Sequence, residues 1–196
     1  MKKILLPLLG LVAIVAACVP SVNPFYTDKD VITDARIVGT WVEDENKDRP
    51  VTWLFTANTN RSYAVALTDD EKKTGNFEGH LFKLENGLFF DLTPTECNYA
   101  TNQAALLGSA MIPGHLLLRV SFVDQNLKLA ICNPDWVKKF LEKNPEAVAH
   151  RDLDGGIILT AETRALQKFV LKHLGKDELF GNDTSYHRPV EATAPK

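Results

Sequence analysis

The sequence contains no cluster of basic residues. Its 22 Lys and Arg residues are interspersed with 25 Asp and Glu residues, which gives a formal net charge of −3. Because a nucleic-acid-binding surface needs a basic patch or stripe, we predict that no nucleic acid is a partner. The five histidines also lack the spacing of zinc ligands. We therefore predict neither a metal site nor a cofactor.

The apolar run at the amino terminus is too short for a comfortable membrane span. Residues 4–15 form this run, with Lys2 and Lys3 before it and Ala16 and Ala17 after it. The order of positive charge, apolar core and small residues is typical of a secretion signal. We therefore predict that residues 1–17 are a signal peptide.

Cysteine is rare, since the chain has only three. The first ends the tetrapeptide Val15-Ala16-Ala17-Cys18, which resembles a bacterial lipobox. The resemblance implies that the Cys18 thiol receives a diacylglyceryl group, that the signal is cleaved before Cys18 and that the new amino group is acylated. Two or more acyl chains anchor a protein stably. Val19 stands where an Asp would resemble an inner-membrane retention signal, so we expect an outer-membrane lipoprotein that faces the periplasm.

Signal removal leaves roughly 180 residues, enough for one domain with a hydrophobic core. Loss of two lysines changes the formal charge from −3 to −5. Turn-forming and charged residues predict a lipidated tether over residues 18–36 and a flexible tail over residues 182–196. Residues 37–181 are then the folded domain. The periplasm permits disulfides, so Cys97 and Cys132 are either a disulfide pair or two free thiols.

Alternation of apolar and polar side chains predicts eight short strands. They cover residues 39–43, 51–56, 62–68, 76–85, 88–93, 116–123, 127–132 and 156–160. Turn signals lie between several of them, and the strongest is Asn86-Gly87. Asn133-Pro134 indicates the start of one helix, and an apolar stripe predicts a second helix over residues 161–174.

The turn geometry assigns the faces of these strands. A two-residue turn at Asn86-Gly87 pairs Leu84 with Phe89, and we expect the face that carries Leu81 and Phe90 to point inward. A loop of even length joins the strands 116–123 and 127–132. It puts Val120 and Phe122 on the same face as Leu129 and Ile131. The residues expected to line the interior are Trp41, Trp53, Phe55, Tyr63, Val65, Leu118, Val120, Phe122, Leu129 and Ile131.

Eight successive strands, joined largely by hairpins, predict a mainly β fold. We expect an eight-stranded up-and-down barrel, closed so that no edge is unpaired, with a helix between strands seven and eight and a C-terminal helix packed on the barrel. Gly39-Thr40-Trp41 resembles the Gly-x-Trp signature of lipocalins. Short segments also resemble a group of secreted bacterial lipoproteins with lipocalin-like barrels: Asn23-Pro24-Phe25-Tyr26, Gly39-Thr40-Trp41, His80-Leu81-Phe82-Lys83-Leu84 and Pro134-Asp135-Trp136.

The chain also departs from the lipocalin pattern. It has no Thr-Asp-Tyr second motif, and no late-strand arginine is expected to pack over Trp41. A helix stands where a plain lipocalin has a hairpin. The resemblance therefore implies a fold and leaves the function to be argued from the site.

Two functions fit such a barrel. Its interior residues either line a cavity for a small apolar ligand or fill a solid core. The first case predicts a membrane-anchored periplasmic binding protein for a lipid or another small apolar ligand. The second predicts a non-catalytic module that inhibits or scaffolds another envelope protein. The segment 98–111 is either a lid over the barrel or a short packed helix.

The sequence gives little indication of an enzyme. Glu78, His80 and Asp91 share a face of one predicted hairpin, and a histidine beside carboxylates can act as a general base. No nucleophile or electrophile is identifiable near them. We therefore interpret this group as a solvated polar face and predict no catalytic residues.

The lipobox leads to a direct test. Replacement of Cys18 by serine removes the acyl-accepting thiol, so Cys18→Ser should abolish lipidation. Metabolic labelling with a fatty-acid analogue measures the outcome, and undiminished labelling of the variant would contradict the prediction of a lipoprotein.

Overall fold

Alternating apolar side chains produce strands close to where the sequence predicts them. The computed structural model describes residues 18–95, 114–153, 156–175 and 178–189. The strands are β1 (Pro20–Ser21), β2 (Gly39–Glu43), β3 (Thr52–Ala57), β4 (Tyr63–Thr68), β5 (Thr74–Leu84), β6 (Gly87–Pro94), β7 (His115–Val123), β8 (Asn126–Ile131), β9 (His150–Leu153), β10 (Gly156–Leu159) and β11 (Thr184–His187). The helices are a single 3-10 turn (Ala35–Ile37), α1 (Pro134–Lys143) and α2 (Thr163–His173).

Eight of these strands close into an antiparallel barrel. Their order around the barrel is β6-β5-β4-β3-β2-β11-β8-β7, and β7 pairs with β6 to complete the ring. α1 follows β8, as predicted, and the Asn133 side chain caps this helix by accepting a hydrogen bond from the Trp136 amide at 3.2 Å. The predicted fold class, a mainly β eight-stranded barrel with two helices, is confirmed.

The strand that closes the barrel differs from the predicted one. Residues 156–160 were expected to be strand eight, but β10 pairs with β9 and β1 outside the barrel. The closing strand is β11, which lies between β2 and β8 in the segment predicted to be a flexible tail. Its sequence, Thr-Ser-Tyr-His, has one large apolar side chain, so hydrophobic alternation could not reveal it.

The β5–β6 hairpin turns one residue earlier than predicted. Glu85 and Asn86 form the turn, with Glu85 at φ 50°, and Leu84 pairs with Gly87. Partners therefore shift by two residues relative to the predicted register. Because side chains alternate with a period of two, this shift leaves every residue on its predicted face.

Aromatic side chains fill the barrel interior. The Phe90 ring lies 5.5 Å from that of Phe55 and 5.6 Å from that of Tyr63 between centroids, and all three residues are buried. Phe90 also lies against the backbone of β5, where a Cβ on Gly79 would come within 2.0 Å of its ring. The centre of the barrel is therefore a packed core.

A second core lies between the outer face of the barrel and the two helices. Phe82 and Phe89 on the barrel pack there with Leu166 and Phe169 of α2. In the part of the chain that the structure describes, no helix is long and apolar enough to cross a bilayer.

The segment predicted to be a tether belongs to this outer core. Val19, Phe25 and Val31 are buried, and the Gln167 amide of α2 donates a hydrogen bond to the Phe25 carbonyl at 3.0 Å. The Val31 backbone forms a bridge with Phe82. The apolar residues of this segment have no regular spacing, so its composition indicated a linker although its side chains are packed.

Truncation of Phe90 tests whether the interior is packed. Phe90→Ala should lower the free energy of unfolding by about 3–5 kcal/mol, because a close-packed core cannot collapse fully around the void. Val123→Ala is the matched control, since Val123 is exposed and its truncation should change stability by less than about 0.5 kcal/mol. Urea denaturation measures both, and a small loss for Phe90→Ala would contradict a solid interior.

Candidate functional site

A pocket of about 310 Å³ lies at the end of the barrel where β8 stops and β11 begins. Its floor consists of side chains that also belong to the interior core: Trp53, Leu118, Leu129 and Tyr186. Its rim consists of Ile131, Cys132, Asn133, Pro134, Gly181, Asn182 and Thr184. We call this site the mouth pocket. Its floor is apolar and aromatic, and its rim carries the polar groups.

A buried hydrogen-bond donor lies in the floor of the mouth pocket. The Trp53 indole Nε1 is buried in this floor. The Tyr186 hydroxyl is a neighbouring polar group. Burial raises the pKa of Tyr186, and the nearby Trp53 N–H opposes that increase. The Trp53 N–H and the Tyr186 hydroxyl are therefore the polar groups of an otherwise apolar floor.

The opposite end of the barrel is closed. The Arg188 guanidinium lies 4.0 Å from the ring centroid of Trp41, and that of Arg36 lies 4.4 Å from the ring centroid of Phe122. Arg188 also donates a hydrogen bond to the Arg36 carbonyl at 2.7 Å. The expectation that no late arginine packs over Trp41 was wrong, because Arg188 follows the unpredicted strand β11.

This arginine explains the glycine of the Gly-x-Trp motif. Gly39 has φ 109°, which side-chain-bearing residues rarely adopt, and a Cβ there would lie 2.4 Å from Arg188 Nη1. The Trp41 indole donates a hydrogen bond to the Ile37 carbonyl at 2.8 Å. The Trp41 ring is therefore held by Ile37 at its N–H and by Arg188 at its face.

The structure places most of the predicted lining residues inside the barrel. Eight are buried in the interior core: Trp41, Trp53, Phe55, Tyr63, Val65, Leu118, Val120 and Leu129. Phe122 is half-buried against that core. Ile131 lies at the end of β8 and is 43% exposed, so it belongs to the rim of the mouth pocket and not to the interior. Tyr186 was not predicted to line the interior, because it lies in the segment predicted to be a tail.

The cysteines occupy distinct environments. Cys18 is half-buried next to the buried Val19, and Cys132 is buried. Burial raises the pKa of the Cys132 thiol to about 12, so an unpaired thiol at this position stays protonated. Cys97 and the segment 98–111 lie outside the described residues. The predicted Cys97–Cys132 disulfide therefore stays a prediction.

The polar group predicted on the β5–β6 hairpin is largely buried. Asp91 is 1% exposed. Its Oδ2 accepts a hydrogen bond from the Phe25 amide at 2.8 Å, and its Oδ1 lies 2.7 Å from His115 Nδ1. The interpretation as a solvated face was wrong for Asp91, because the amino-terminal segment covers it.

His80 lies opposite Asp91 and contacts the same segment. Its Nδ1 is 3.0 Å from the Tyr26 hydroxyl, and the two rings stack with 4.5 Å between centroids. Burial, with help from the charges of Asp91 and Glu78, raises the pKa of Tyr26 to about 12. Burial lowers the pKa of His80, against the effect of the same carboxylates. The contacts of this group fasten the amino-terminal segment to the barrel.

A second concavity, of about 480 Å³, lies on the outer face of β3, β4 and β5. Leu54, Thr56, Ala64 and Ala66 form its centre, and Asn58, Asn76, Glu78 and Thr95 border it. We call it the outer groove. Leu54 is 43% exposed within it, so part of this face presents apolar surface to solvent.

Neither metal ligands nor known relatives identify a site. Within the described ranges, no three His, Cys, Asp or Glu side chains converge on a point where a metal ion could bind. The chain matches no protein-family model, no curated protein and no solved structure. Its barrel is compatible with a lipocalin-like fold and with a binding protein, and its sites must be argued from their geometry.

The Asp91 carboxylate allows a test of the fastened segment. Asp91→Ala leaves the buried Phe25 N–H without its acceptor, which should cost about 2–3 kcal/mol of unfolding free energy. Amide hydrogen exchange should also speed up near Phe25. Asp28→Ala is the control in the same segment, since Asp28 is exposed. Equal exchange in the two variants would show that the Asp91 contact does not hold the segment.

Proposed function

We propose that the mature chain is a lipid-anchored binding protein of the cell envelope. In this proposal Cys18 carries the lipid, the domain faces the periplasm from the outer membrane, and the barrel binds a small, mostly apolar ligand. The observation that carries the proposal is the mouth pocket, whose floor consists of interior barrel residues. No catalytic role is proposed for any residue.

The size of the pocket limits the ligand. Pockets for small molecules span about 300–1,000 Å³, so 310 Å³ suits a compact molecule or one end of a longer chain. The packed rings of Phe55, Tyr63 and Phe90 block deeper entry. A lipid would therefore insert only part of its acyl chain between Leu118 and Leu129.

The chemistry of the floor adds a polar requirement. The buried Trp53 N–H and the Tyr186 hydroxyl can both donate hydrogen bonds. A carbonyl or carboxylate oxygen on the ligand would satisfy these donors. The pocket is thus suited to an apolar molecule that carries one such oxygen, as a fatty acid does.

The outer groove supports a second function. Because the interior is packed, the apolar part of this outer face is the other surface through which the domain could act. Leu54 and the flat strip formed by Ala64 and Ala66 would contact another envelope protein. In that case the domain is an inhibitory or scaffolding module, and the mouth pocket has no ligand.

Two blocking variants separate these functions. Asn182 on the rim of the mouth pocket and Thr56 in the outer groove are both exposed, so Asn182→Trp and Thr56→Trp each obstruct one site without changing the core. Fatty acids of graded chain length are the probes. A ligand at about a hundredfold excess over Kd stabilises a protein by about 2.7 kcal/mol, which raises the melting temperature.

The expected result is a thermal shift in the wild type and in Thr56→Trp, and none in Asn182→Trp. Native mass spectrometry of the protein purified from its own host should show the same pattern for a bound molecule. No shift and no bound molecule in the wild type would contradict the proposed ligand. Loss of a co-purifying protein in Thr56→Trp alone would then favour the interaction module.

A further inference from the structure

The register of β1 fixes the position of Cys18. Both β1 and β8 lie along the same edge of β7: Pro20 pairs with Leu116, and Ile131 pairs with Leu118. Between these pairs, the Cys132 amide donates a hydrogen bond to the Leu117 carbonyl at 3.3 Å. One residue before Pro20, the chain therefore reaches the end of β8. The Cys18 thiol is close enough to Cys132 to raise its pKa, which places Cys18 near the end of β8, where Ile131 is the last residue.

The same strand fixes what lies on the other side of Cys18. β1 runs parallel to β10, with Ser21 level with Leu159. Extending this register by two residues beyond β1 brings Cys18 level with Gly156, which pairs with Leu153 of β9. Because neighbouring strands are about 4.8 Å apart, the extended register puts Leu153 roughly 10 Å from Cys18.

Exposed apolar side chains flank this cysteine on both sides. Leu153 is 54% exposed and Ile131 is 43% exposed. The described part of the chain has two other large hydrophobic residues of comparable exposure, Leu54 and Val123. Leu54 lies in the outer groove and Val123 beside the β7–β8 turn, at the opposite end of the barrel from the mouth pocket.

No free linker separates Cys18 from the fold. Val19 is 3% exposed and packs in the outer core, so acyl chains on Cys18 would enter a bilayer directly beside the domain. The residues around Cys18 must then lie at the membrane surface. Arg151 and Asp152, which precede Leu153, are exposed and carry one charge of each sign.

We propose that the surface formed by Ile131, Cys18 and Leu153 is seated on the bilayer, so that the lipid anchor holds the domain in one orientation. This inference rests on the proposed lipidation of Cys18. Ile131 and Leu153 contact the interfacial region of the bilayer on either side of the anchor, whereas Leu54 and Val123 stay in water.

An environment-sensitive fluorophore at each of the four exposed positions tests this orientation. The full lipidated chain, with Cys97→Ser, is prepared as Ile131→Cys, Leu153→Cys, Leu54→Cys or Val123→Cys and labelled with a nitrobenzoxadiazole maleimide. Cys132 is buried, and its thiol stays protonated. The labelled proteins are bound to vesicles of phosphatidylethanolamine and phosphatidylglycerol that contain a nitroxide-labelled lipid.

Labels at positions 131 and 153 should emit at shorter wavelength than in water and be quenched by the nitroxide lipid. Labels at positions 54 and 123 should emit as in water. These two positions are the controls, because Leu54 and Val123 are about as exposed as Ile131. Equal emission at all four positions, or stronger quenching at 54 or 123, would overturn the orientation. Circular dichroism confirms that each variant is folded.

A separate measurement distinguishes this outcome from failure of the proposed anchor. The intact mass of each chain shows whether Cys18 is acylated, and sedimentation with vesicles shows whether the chain is membrane-bound. A chain without acyl groups that stays in the supernatant overturns both proposals. An acylated, sedimenting chain whose labels at 131 and 153 report water overturns only the orientation.

Discussion

Closure of the barrel by β11 is the constraint on which the rest of the structure depends. Without it, β2 and β8 would each leave a row of unpaired backbone groups at an edge. The strand is only four residues long, yet it brings Tyr186 into the mouth pocket and Arg188 over Trp41. Gly39 accommodates that arginine. One short pairing thus shapes both ends of the barrel.

The elements with a strong local pattern could be predicted from the sequence. The residues of β2, the start of α1 at Asn133-Pro134 and the inward face of the β7–β8 hairpin all follow from hydrophobic alternation or capping. β11 and β1 could not be predicted, because each is short and carries few apolar side chains. β10 has the apolar pattern of a barrel strand, but its apolar residues pack against the outer core.

The candidate sites were predictable only in part. Interior residues such as Trp53 and Leu118 were identified because alternation and turn parity agree on their face. The rim of the mouth pocket joins residues about 50 positions apart along the chain, from Ile131 to Asn182, and no local pattern relates them. The burial of Asp91 depends on the amino-terminal segment, and strand alternation says nothing about what covers the outer face.

Because the interior of the barrel is packed, the function must depend on its outer surface and its two ends. At one end the guanidinium groups of Arg188 and Arg36 cover the rings of Trp41 and Phe122, and at the other end the mouth pocket reaches interior side chains. Ile131 belongs both to the rim of that pocket and to the surface that we propose contacts the bilayer. If both proposals hold, the pocket opens beside the membrane, where apolar molecules with a polar end are concentrated. The anchor then holds the binding site close to its ligand.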